Sequence, residues 1–227
     1  PTATYGPYGI SQIVKKGHYI YGVAIDYSMT KGREALYVYD VSDVGNIKKA
    51  ARLSTTPVRG HGMAIDGNHL FAVGAFGVLS IDISSPEEPL TIGELLLEGR
   101  FGTFASHNQG RLYTAGGVLG IAKERGPAKY SKTFSPSPTP AGDGVHNGFF
   151  QVIDTLNPVH PRLISETLIS TGEVYGFLVD KGFAYLACSR GVAVLDIRYI
   201  DRPSAISLFA DLDPTKEYIG VEIIQVD

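Results

Sequence analysis

The chain has no tryptophan and only one cysteine among its 227 residues. A single cysteine cannot form a disulfide within the chain, so no disulfide framework holds this fold together. Cys188 lies in the largely apolar segment 185–188, which predicts a buried thiol. No apolar run approaches the roughly 18 residues of a membrane-spanning helix. These absences exclude a disulfide scaffold and a membrane helix.

Clustered positive charge is missing as well. The chain has 20 Lys and Arg against 23 Asp and Glu, for a net charge of −3, and its longest basic group is Lys48 and Lys49 with Arg52 nearby. A nucleic-acid-binding protein would need a basic stripe, so nucleic acid is not an expected partner. The first four residues have neither an initiator Met nor the apolar core of a signal peptide, which indicates a processed chain or a fragment.

Glycine and proline are abundant, with 27 and 13 copies, and they leave little room for uninterrupted helices. Instead, an apolar strand that closes on aspartate occurs four times, at Asp40, Asp82, Asp154 and Asp196. The spacings are 42, 72 and 42 residues, and the middle one equals one period plus an insertion of 30 residues. A period near 42 residues is typical of β-propeller blades.

Alignment on the aspartates predicts four strands in each unit. The first strand opens with an aromatic residue or His followed by Gly, and it ends in a tight turn that tolerates positive φ. The fourth strand follows a corner rich in Pro, Ser or Gly. The sequence therefore predicts one all-β domain over residues 1–227, a β-propeller of four-stranded antiparallel blades. The predicted blades cover residues 6–56, 57–98, 99–170 and 171–213.

The third-strand segments 36–43, 77–86 and 191–197 resemble the LVIVD repeat. In that family, such units form propeller blades, often in secreted or surface proteins of bacteria and archaea that have no assigned activity. The resemblance covers nearly the whole chain, and it implies an extracellular or cell-envelope location. It carries no functional residues with it, because propellers serve as binding modules and as enzymes.

Residues 218–227 predict the first, inner strand of a fifth blade, after four complete blades. We therefore expect the chain to be part of a larger propeller, or to close with another chain, because unpaired inner edges invite further pairing. The alternative is a four-bladed ring in which this last strand packs irregularly.

Two insertions interrupt the units between their second and third strands, at residues 26–34 and 123–148. The longer one contains three Pro in residues 135–140 and predicts an extended, irregular loop. It lies on the face where the inner strands begin. Such loops often carry function, although this one could equally only cover neighbouring blades.

The same face gives the candidate ligand site. Charged and aromatic residues lie where the inner strands begin, and ring geometry would direct them to one central mouth. Such a mouth suits a small polar ligand or a peptide tip. The predicted ligand-binding residues are Arg59, His61, Arg100, Phe101, Glu173, Tyr175 and Glu217.

Four residues have the chemistry of ligands for zinc, copper or another transition metal: His61, His107, His146 and Asp143. No two of them form a local ligand pair, and a lone His is more often a hydrogen-bonded structural residue. Apart from such a metal, no cofactor is expected.

The sequence thus favours a non-enzymatic binding or interaction propeller, with a protein or surface ligand as its partner. Two alternatives stay open, a His-ligated, metal-dependent enzyme such as an oxidoreductase and a structural subunit of a multi-chain assembly. The repeated aspartates are assigned to structure, since four equivalent carboxylates before turns suit backbone capping.

Overall fold

A computed structural model describes residues 8–26, 35–55, 58, 60–97, 99–118 and 148–209. These residues form sixteen β-strands and no helix, in four antiparallel sheets of four strands each. The prediction of an all-β chain built from four-stranded units is confirmed. The predicted strand at 218–227 and almost all of the two insertions lie outside the described residues.

Within each sheet the strands lie side by side in chain order, as successive hairpins would place them. Sheet 1 contains β1 (Tyr8–Lys16), β2 (Tyr19–Asp26), β3 (Ala35–Asp40) and β4 (Lys48–Ser54). Sheet 2 contains β5 (Gly60–Asp66), β6 (His69–Gly74), β7 (Gly77–Asp82) and β8 (Leu90–Leu96). Sheet 3 contains β9 (Arg100–Asn108), β10 (Arg111–Val118), β11 (Gly148–Asp154) and β12 (Arg162–Ile169). Sheet 4 contains β13 (Val174–Asp180), β14 (Phe183–Cys188), β15 (Gly191–Asp196) and β16 (Ser204–Phe209).

The turn between the first two strands of every sheet contains a residue with positive φ, as the Gly-, Asn- and Lys-rich sequences predict. These residues are Gly17 (57°), Gly67 (53°), Gln109 and Gly110 (48° and 72°), and Lys181 and Gly182 (45° and 84°). Both central residues have positive φ in sheets 3 and 4, and only the first does in sheets 1 and 2; both patterns match the twist of a two-residue hairpin. The turns therefore set the register of the inner hairpin in each sheet.

Consecutive sheets pack face to face, and each sheet has two faces because side chains alternate along a strand. We call the face directed at the next sheet the front face, and the opposite one the back face. The central front-face residues are Tyr21, Val23, Leu36 and Val38 in sheet 1, Phe71, Val73, Val78 and Ser80 in sheet 2, and Tyr113, Ala115, Phe150 and Val152 in sheet 3. All twelve are buried.

The back faces complete three apolar cores. Sheet 2 presents Leu70, Ala72, Leu79 and Ile81 to sheet 1, and sheet 4 presents Ala184, Leu186, Ala193 and Leu195 to sheet 3. Sheet 3 presents the cross-strand pair Leu112 and Ile153 to sheet 2, and the pair Thr114 and Gln151 follows on the same face. The four sheets form a propeller-like row, since each core lies between two neighbours in the chain.

The antiparallel order gives each sheet two distinct ends. The inner strands β1, β5, β9 and β13 begin at one end, which we call the loop end because the connections between second and third strands lie there. The hairpin turns and the corners after the aspartates lie at the other end, the turn end. No helix in the described part of the chain is long and apolar enough to cross a membrane.

Candidate functional site

The loop end brings together two residues predicted for the ligand site. His61, near the start of β5, contacts Phe101, near the start of β9, with ring centroids 4.3 Å apart and ring planes at 67°. This edge-to-face arrangement is favourable for aromatic rings. Phe101 is buried and His61 is half-buried. The pair joins sheets 2 and 3 at the predicted mouth.

Arg100 begins β9 and makes a two-pronged ion pair with Glu166 on the outer strand β12. Nε lies 2.7 Å from Oε2 of Glu166, and Nη2 lies 2.5 Å from Oε1. The amide of Gln151 donates a further hydrogen bond of 2.7 Å to Oε2. Burial acts to raise the pKa of Glu166, but the hydrogen bonds from Arg100 and Gln151 and the arginine charge hold that pKa below its ordinary value. Arg100 is thus neutralised within its own sheet.

Glu173 and Tyr175 also lie at the loop end, at the start of β13. A Cβ placed on Gly117 of β10 would lie 2.9 Å from Oε1 of Glu173. The Glu173 carboxylate of sheet 4 therefore packs directly against this glycine of sheet 3. Burial, the Glu173 charge and a side-chain hydrogen bond to Glu173 raise the pKa of Tyr175. Glu173 and Tyr175 therefore form a second pair at this end, between sheets 3 and 4.

A crevice of about 10 Å³ lies between the front face of sheet 2 and the back face of sheet 3. That volume accepts one water molecule or one group of similar size. Its walls are formed by Gly74, Gly77, Val78, Leu97, Arg100, Gly102, Thr114, Phe149 and Gln151. Thr114 is 2% exposed, and its Oγ1 has no hydrogen-bond partner among the described residues. The crevice therefore contains the Thr114 hydroxyl, which has no described hydrogen-bond partner, next to Arg100, whose charge is already paired with Glu166.

Glycines shape this crevice by letting backbones approach closely. Gly77 has a φ of +130°, and a Cβ there would lie 1.9 Å from the carbonyl oxygen of Leu95. A Cβ on Gly102 would lie 2.9 Å from Oγ1 of Thr114. Larger side chains at these two positions would fill or distort the space in front of the threonine.

Four of the predicted site residues lie outside the described residues: Arg59, Asp143, His146 and Glu217. Among the predicted site residues that the structure describes, His61 lies with Phe101 and Glu173 lies with Tyr175. Arg100 lines the crevice between sheets 2 and 3.

His107 lies at the turn end, six residues along β9 from Phe101. At the rise of an extended strand, these two residues are about 20 Å apart. Its side chain is 3% exposed and stacks on Phe71, with ring centroids 5.2 Å apart. Nε2 lies 2.9 Å from Oγ1 of Thr155 and 3.7 Å from a carboxylate oxygen of Asp66. Burial lowers the pKa of His107, and Asp66 only partly opposes this. The structure does not bring His107 to His61.

Within residues 8–209, outside the undescribed segments, no three His, Cys, Asp or Glu side chains are grouped as a metal site requires. The expectation of a transition-metal site involving His146 or Asp143 remains a prediction from the sequence.

The four repeated aspartates cap the corners of the turn end, as predicted. The Oδ1 atom of each accepts a hydrogen bond from the backbone N–H two residues later, at 2.8, 2.8, 3.1 and 3.0 Å for Asp40, Asp82, Asp154 and Asp196. These backbone hydrogen bonds help to lower the pKa of all four carboxyls, and the side-chain hydrogen bond from Arg198 is the largest cause at Asp196, whose pKa falls to about 2.

The predicted buried thiol is confirmed. Cys188 is fully buried in the core between sheets 3 and 4, and burial raises the pKa of its thiol. A buried thiol with a raised pKa is a poor nucleophile, because the thiolate is the reactive form.

Sequence reasoning missed Thr114, Gln151 and Glu166, which complete the surroundings of Arg100. Glu166 lies 66 residues from Arg100 in the chain, so no local motif joins them. The one available signal was Gln151, a polar residue inside the apolar strand that closes on Asp154. A polar residue at an inward position predicts a partner in the facing sheet or within its own.

No family model matches the chain, and no curated protein matches it. Solved structures with a similar backbone include AztD from Citrobacter koseri in its apo form, with a TM-score of 0.49 and 17% identity over 89% of this chain and 47% of that one. The acylaminoacyl peptidase of Pyrococcus horikoshii has a TM-score of 0.48 and 11% identity over 88% of this chain and 32% of that one. The AfRom2 CNH domain has a TM-score of 0.47 and 9% identity over 88% of this chain and 55% of that one. This chain thus spans about a third to a half of the length of these structures.

Proposed function

We propose that the protein is a non-enzymatic β-propeller of the LVIVD type that binds a ligand or a partner protein at its loop end. In this proposal the four sheets are the blades of the propeller. The observation that carries the binding role is the crevice between sheets 2 and 3, in which the buried hydroxyl of Thr114 has no described partner.

An unsatisfied buried hydroxyl costs free energy in the free protein, and a ligand that supplies a hydrogen-bond partner removes that cost. Thr114 lies beneath the loop end, and Arg100, which also lines the crevice, has a side chain that is 25% exposed. A group of the size of a hydroxyl or amide fits the volume of the crevice. The crevice can therefore anchor one polar group of a larger ligand.

The charges around the crevice favour an uncharged polar group. Glu166 already neutralises Arg100 through two hydrogen bonds, so the arginine has no free charge for an anionic ligand. The half-buried ring of His61 packs against the buried ring of Phe101, the residue that follows Arg100 in the chain. Aromatic side chains with a few fixed polar groups suit a carbohydrate hydroxyl or the tip of a peptide loop.

Thermal unfolding in the presence of small probes tests the proposal. Monosaccharides, single amino acids and tripeptides at millimolar concentration would be screened by circular dichroism, since a ligand that binds only the folded state raises the Tm. We expect at least one hydroxyl- or amide-bearing probe to raise the Tm of the wild-type protein and to have no effect on Thr114→Val. Without ligand, Thr114→Val should be as stable as the wild type or more so, because it removes an unpaired hydroxyl.

The matched control is Thr55→Val, which also removes a buried hydroxyl with no described partner but lies outside the crevice. The probe should still stabilise this variant. The proposal fails if no probe shifts the Tm, or if the shift in Thr114→Val equals that of the wild type.

We also propose the extracellular or cell-envelope location that the LVIVD resemblance implies. Protease treatment of intact cells of the source organism checks it, because a protein exposed at the surface is cleaved without lysis. Full protection that persists until the cytoplasmic membrane is broken would contradict this location.

A further inference from the structure

The back face of sheet 3 departs from the repeat at one layer, the layer that lines the crevice. In sheets 2 and 4 the same layer is a pair of buried apolar residues, Ala72 with Leu79 and Leu186 with Ala193. Sheet 3 has Thr114 with Gln151 there, and each is 2% exposed. Buried polar side chains cost free energy unless hydrogen bonds compensate, so packing alone does not favour this exchange.

Thr114 and Gln151 lie opposite each other on neighbouring strands, but they do not satisfy each other. The Oγ1 atom of Thr114 has no hydrogen-bond partner among the described residues. The side-chain amide of Gln151 donates through Nε2 to Glu166, 2.7 Å away. Since the nitrogen and the oxygen of a planar amide face different ways, Oε1 of Gln151 points away from this carboxylate. The layer therefore has a hydroxyl and an amide oxygen for a group that lies between them.

Arg100 adds hydrogen-bond donors to the same crevice. Of its five N–H bonds, Nε and Nη2 each direct one at Glu166, and Nη1 directs one at the carbonyl oxygen of Gly99, 3.3 Å away. Two N–H bonds thus have no partner in the described part of the chain. The side chain is 25% exposed, so a molecule in the solvent can reach these N–H groups.

Size and charge narrow the group that the crevice accepts. The volume of about 10 Å³ accepts one heavy atom of the size of a water oxygen. An ammonium group would lie beside the guanidinium of Arg100, and a carboxylate would find that charge already neutralised by Glu166. A carbonyl oxygen offers no hydrogen to Oε1 of Gln151. A hydroxyl both donates and accepts, so it satisfies Thr114 and Gln151 together.

We propose that the ligand is a carbohydrate that presents two adjacent hydroxyls, one between Thr114 and Gln151 and the other on the remaining N–H groups of Arg100. This inference rests on the proposed binding role of the crevice and specifies the class of its ligand. Adjacent hydroxyls on a sugar ring place one oxygen in the crevice and the next at its opening. A serine at the tip of a peptide loop has a single hydroxyl, which leaves the N–H groups of Arg100 without a second hydroxyl.

Isothermal titration calorimetry of the full chain with matched probes at millimolar concentration tests the proposal. The probes are glucose, galactose and mannose, the derivatives of each that lack one hydroxyl, and the tripeptides Gly-Ser-Gly and Gly-Ala-Gly. We expect at least one sugar to bind. Removal of either hydroxyl of one adjacent pair should weaken its binding about tenfold or more, because polar groups of the protein are then left unpaired. Removal of a hydroxyl elsewhere on the ring should have a smaller effect.

Two residues are tested for their separate contacts with the two hydroxyls. Thr114→Ser keeps a hydroxyl and should bind the sugar like the wild type, whereas Thr114→Val should lose the binding. Arg100→Lys keeps a positive charge opposite Glu166 but has no planar fork of N–H groups. It should bind the sugar more weakly, and about as well as the derivative without the outer hydroxyl. A cooperative thermal transition in circular dichroism identifies the variants that have folded.

The outcomes separate the ligand class from the binding role of the crevice. If Gly-Ser-Gly binds at least as tightly as every sugar and loses binding in Thr114→Val, the carbohydrate assignment is wrong and the binding role stands. Sugar binding that persists in Thr114→Val, or that is equal for all the deoxy derivatives, would also overturn the assignment. If no probe of either class binds, the binding role and the ligand class fail together.

Discussion

The aspartate at the end of each third strand caps the following corner in all four sheets, and Asp154 has hydrogen bonds with the largest number of different residues. It accepts the backbone N–H of Leu156 at 3.1 Å and hydrogen bonds of 2.9 Å from both Arg111 and Arg162. One carboxylate therefore joins the second, third and fourth strands of sheet 3 to the following corner.

Asp154→Ala should lower the free energy of unfolding by about 2 kcal/mol, because it removes charge-assisted hydrogen bonds from a side chain that is largely buried. For a chain of this size, that loss corresponds to a fall in Tm of about 4–8 °C. Thermal unfolding followed by circular dichroism measures it. Asp82→Ala removes a capping carboxylate that has no arginine partner among the described residues, and it should give a smaller fall in Tm. An unchanged Tm in both variants would contradict the structural assignment of these aspartates.

His107 gives the protein a pH dependence that carboxylates do not produce near neutrality. Burial holds its pKa below the ordinary value, so the unfolded chain binds a proton there before the folded chain does. The stability from neutral His107 is therefore fully present above about pH 6.5 and declines as the pH falls below that value.

We expect the wild-type Tm to fall between about pH 7.5 and about pH 5.5, and His107→Gln to show a smaller fall, because Gln keeps a polar group near Thr155 without titrating in this range. His160→Gln changes an exposed histidine and serves as the control. Equal pH dependence in the wild type and His107→Gln would contradict the role assigned to burial.

Residue-level prediction succeeded where the chemistry was local and repeated. The capping role of Asp40 and its equivalents follows from their place before a turn, and Cys188 follows from the apolar residues around it. The partner of Arg100 could not be predicted, because Glu166 comes from the opposite edge of the same sheet and only the folded register makes the two meet.

At the scale of strands, the inner strands of neighbouring sheets approach each other through glycine. The Gly after the first aromatic residue or His is a repeat feature in sequence, but it has different surroundings in different sheets. Gly62 lies against the backbone of β9, while Gly176 faces open space among the described residues.

Gly62→Ala should lower the free energy of unfolding by about 1–3 kcal/mol, because the methyl group would meet the backbone carbonyl of Thr103 and force β5 and β9 apart. Gly176→Ala is the matched control at the same repeat position and should not lower the free energy of unfolding, since Gly within a strand is about 0.5–1 kcal/mol less stable than Ala. Urea unfolding measures both. Equal losses would show that the glycines are needed for a common backbone reason rather than for contact between sheets.

The order and turns of the strands could be predicted from the repeat, since each hairpin turn carries its own glycine or positive-φ residue. The sequence predicted that His61 and Phe101 lie at the same end of their sheets, but it did not predict their contact. A strand pattern gives the end of the sheet at which a residue lies and does not give the distance between neighbouring sheets.

At the scale of the whole molecule, three separate apolar cores hold four sheets in a row. In repeat proteins of this kind, stability is close to a sum over units and the interfaces between neighbours. Phe150 is fully buried in the core between sheets 3 and 4, where its ring lies 5.5 Å from that of Phe177 and 6.0 Å from that of Tyr113.

Phe150→Ala should cost about 3–5 kcal/mol, the usual range for removing a buried aromatic side chain. Amide hydrogen exchange should show the loss of protection mainly in sheets 3 and 4, and least in sheet 1, because the affected core does not reach it. Leu156→Ala is the control, at an exposed position. A uniform loss of protection over all four sheets would mean that the row unfolds as one unit.

The arrangement of four similar sheets could be predicted from the sequence because period and turn chemistry are local properties. Whether such a row of sheets closes into a ring depends, by contrast, on small angles between sheets that add up along the row. No single residue encodes such an angle, and the front faces of sheets 1 and 4 have nearly the same composition although only one is covered by a described sheet.

The connection between second and third strands has two residues in sheets 2 and 4, at 75–76 and 189–190, but 8 and 29 residues in sheets 1 and 3, at 27–34 and 119–147. The strands on either side keep the same pairing in all four sheets. This end of the scaffold therefore accepts segments of very different length without a change of register. The short turns at 75–76 and 189–190 are accordingly natural places to graft recognition loops, and an engineered version could gain a new specificity there while its aspartate corners stay untouched.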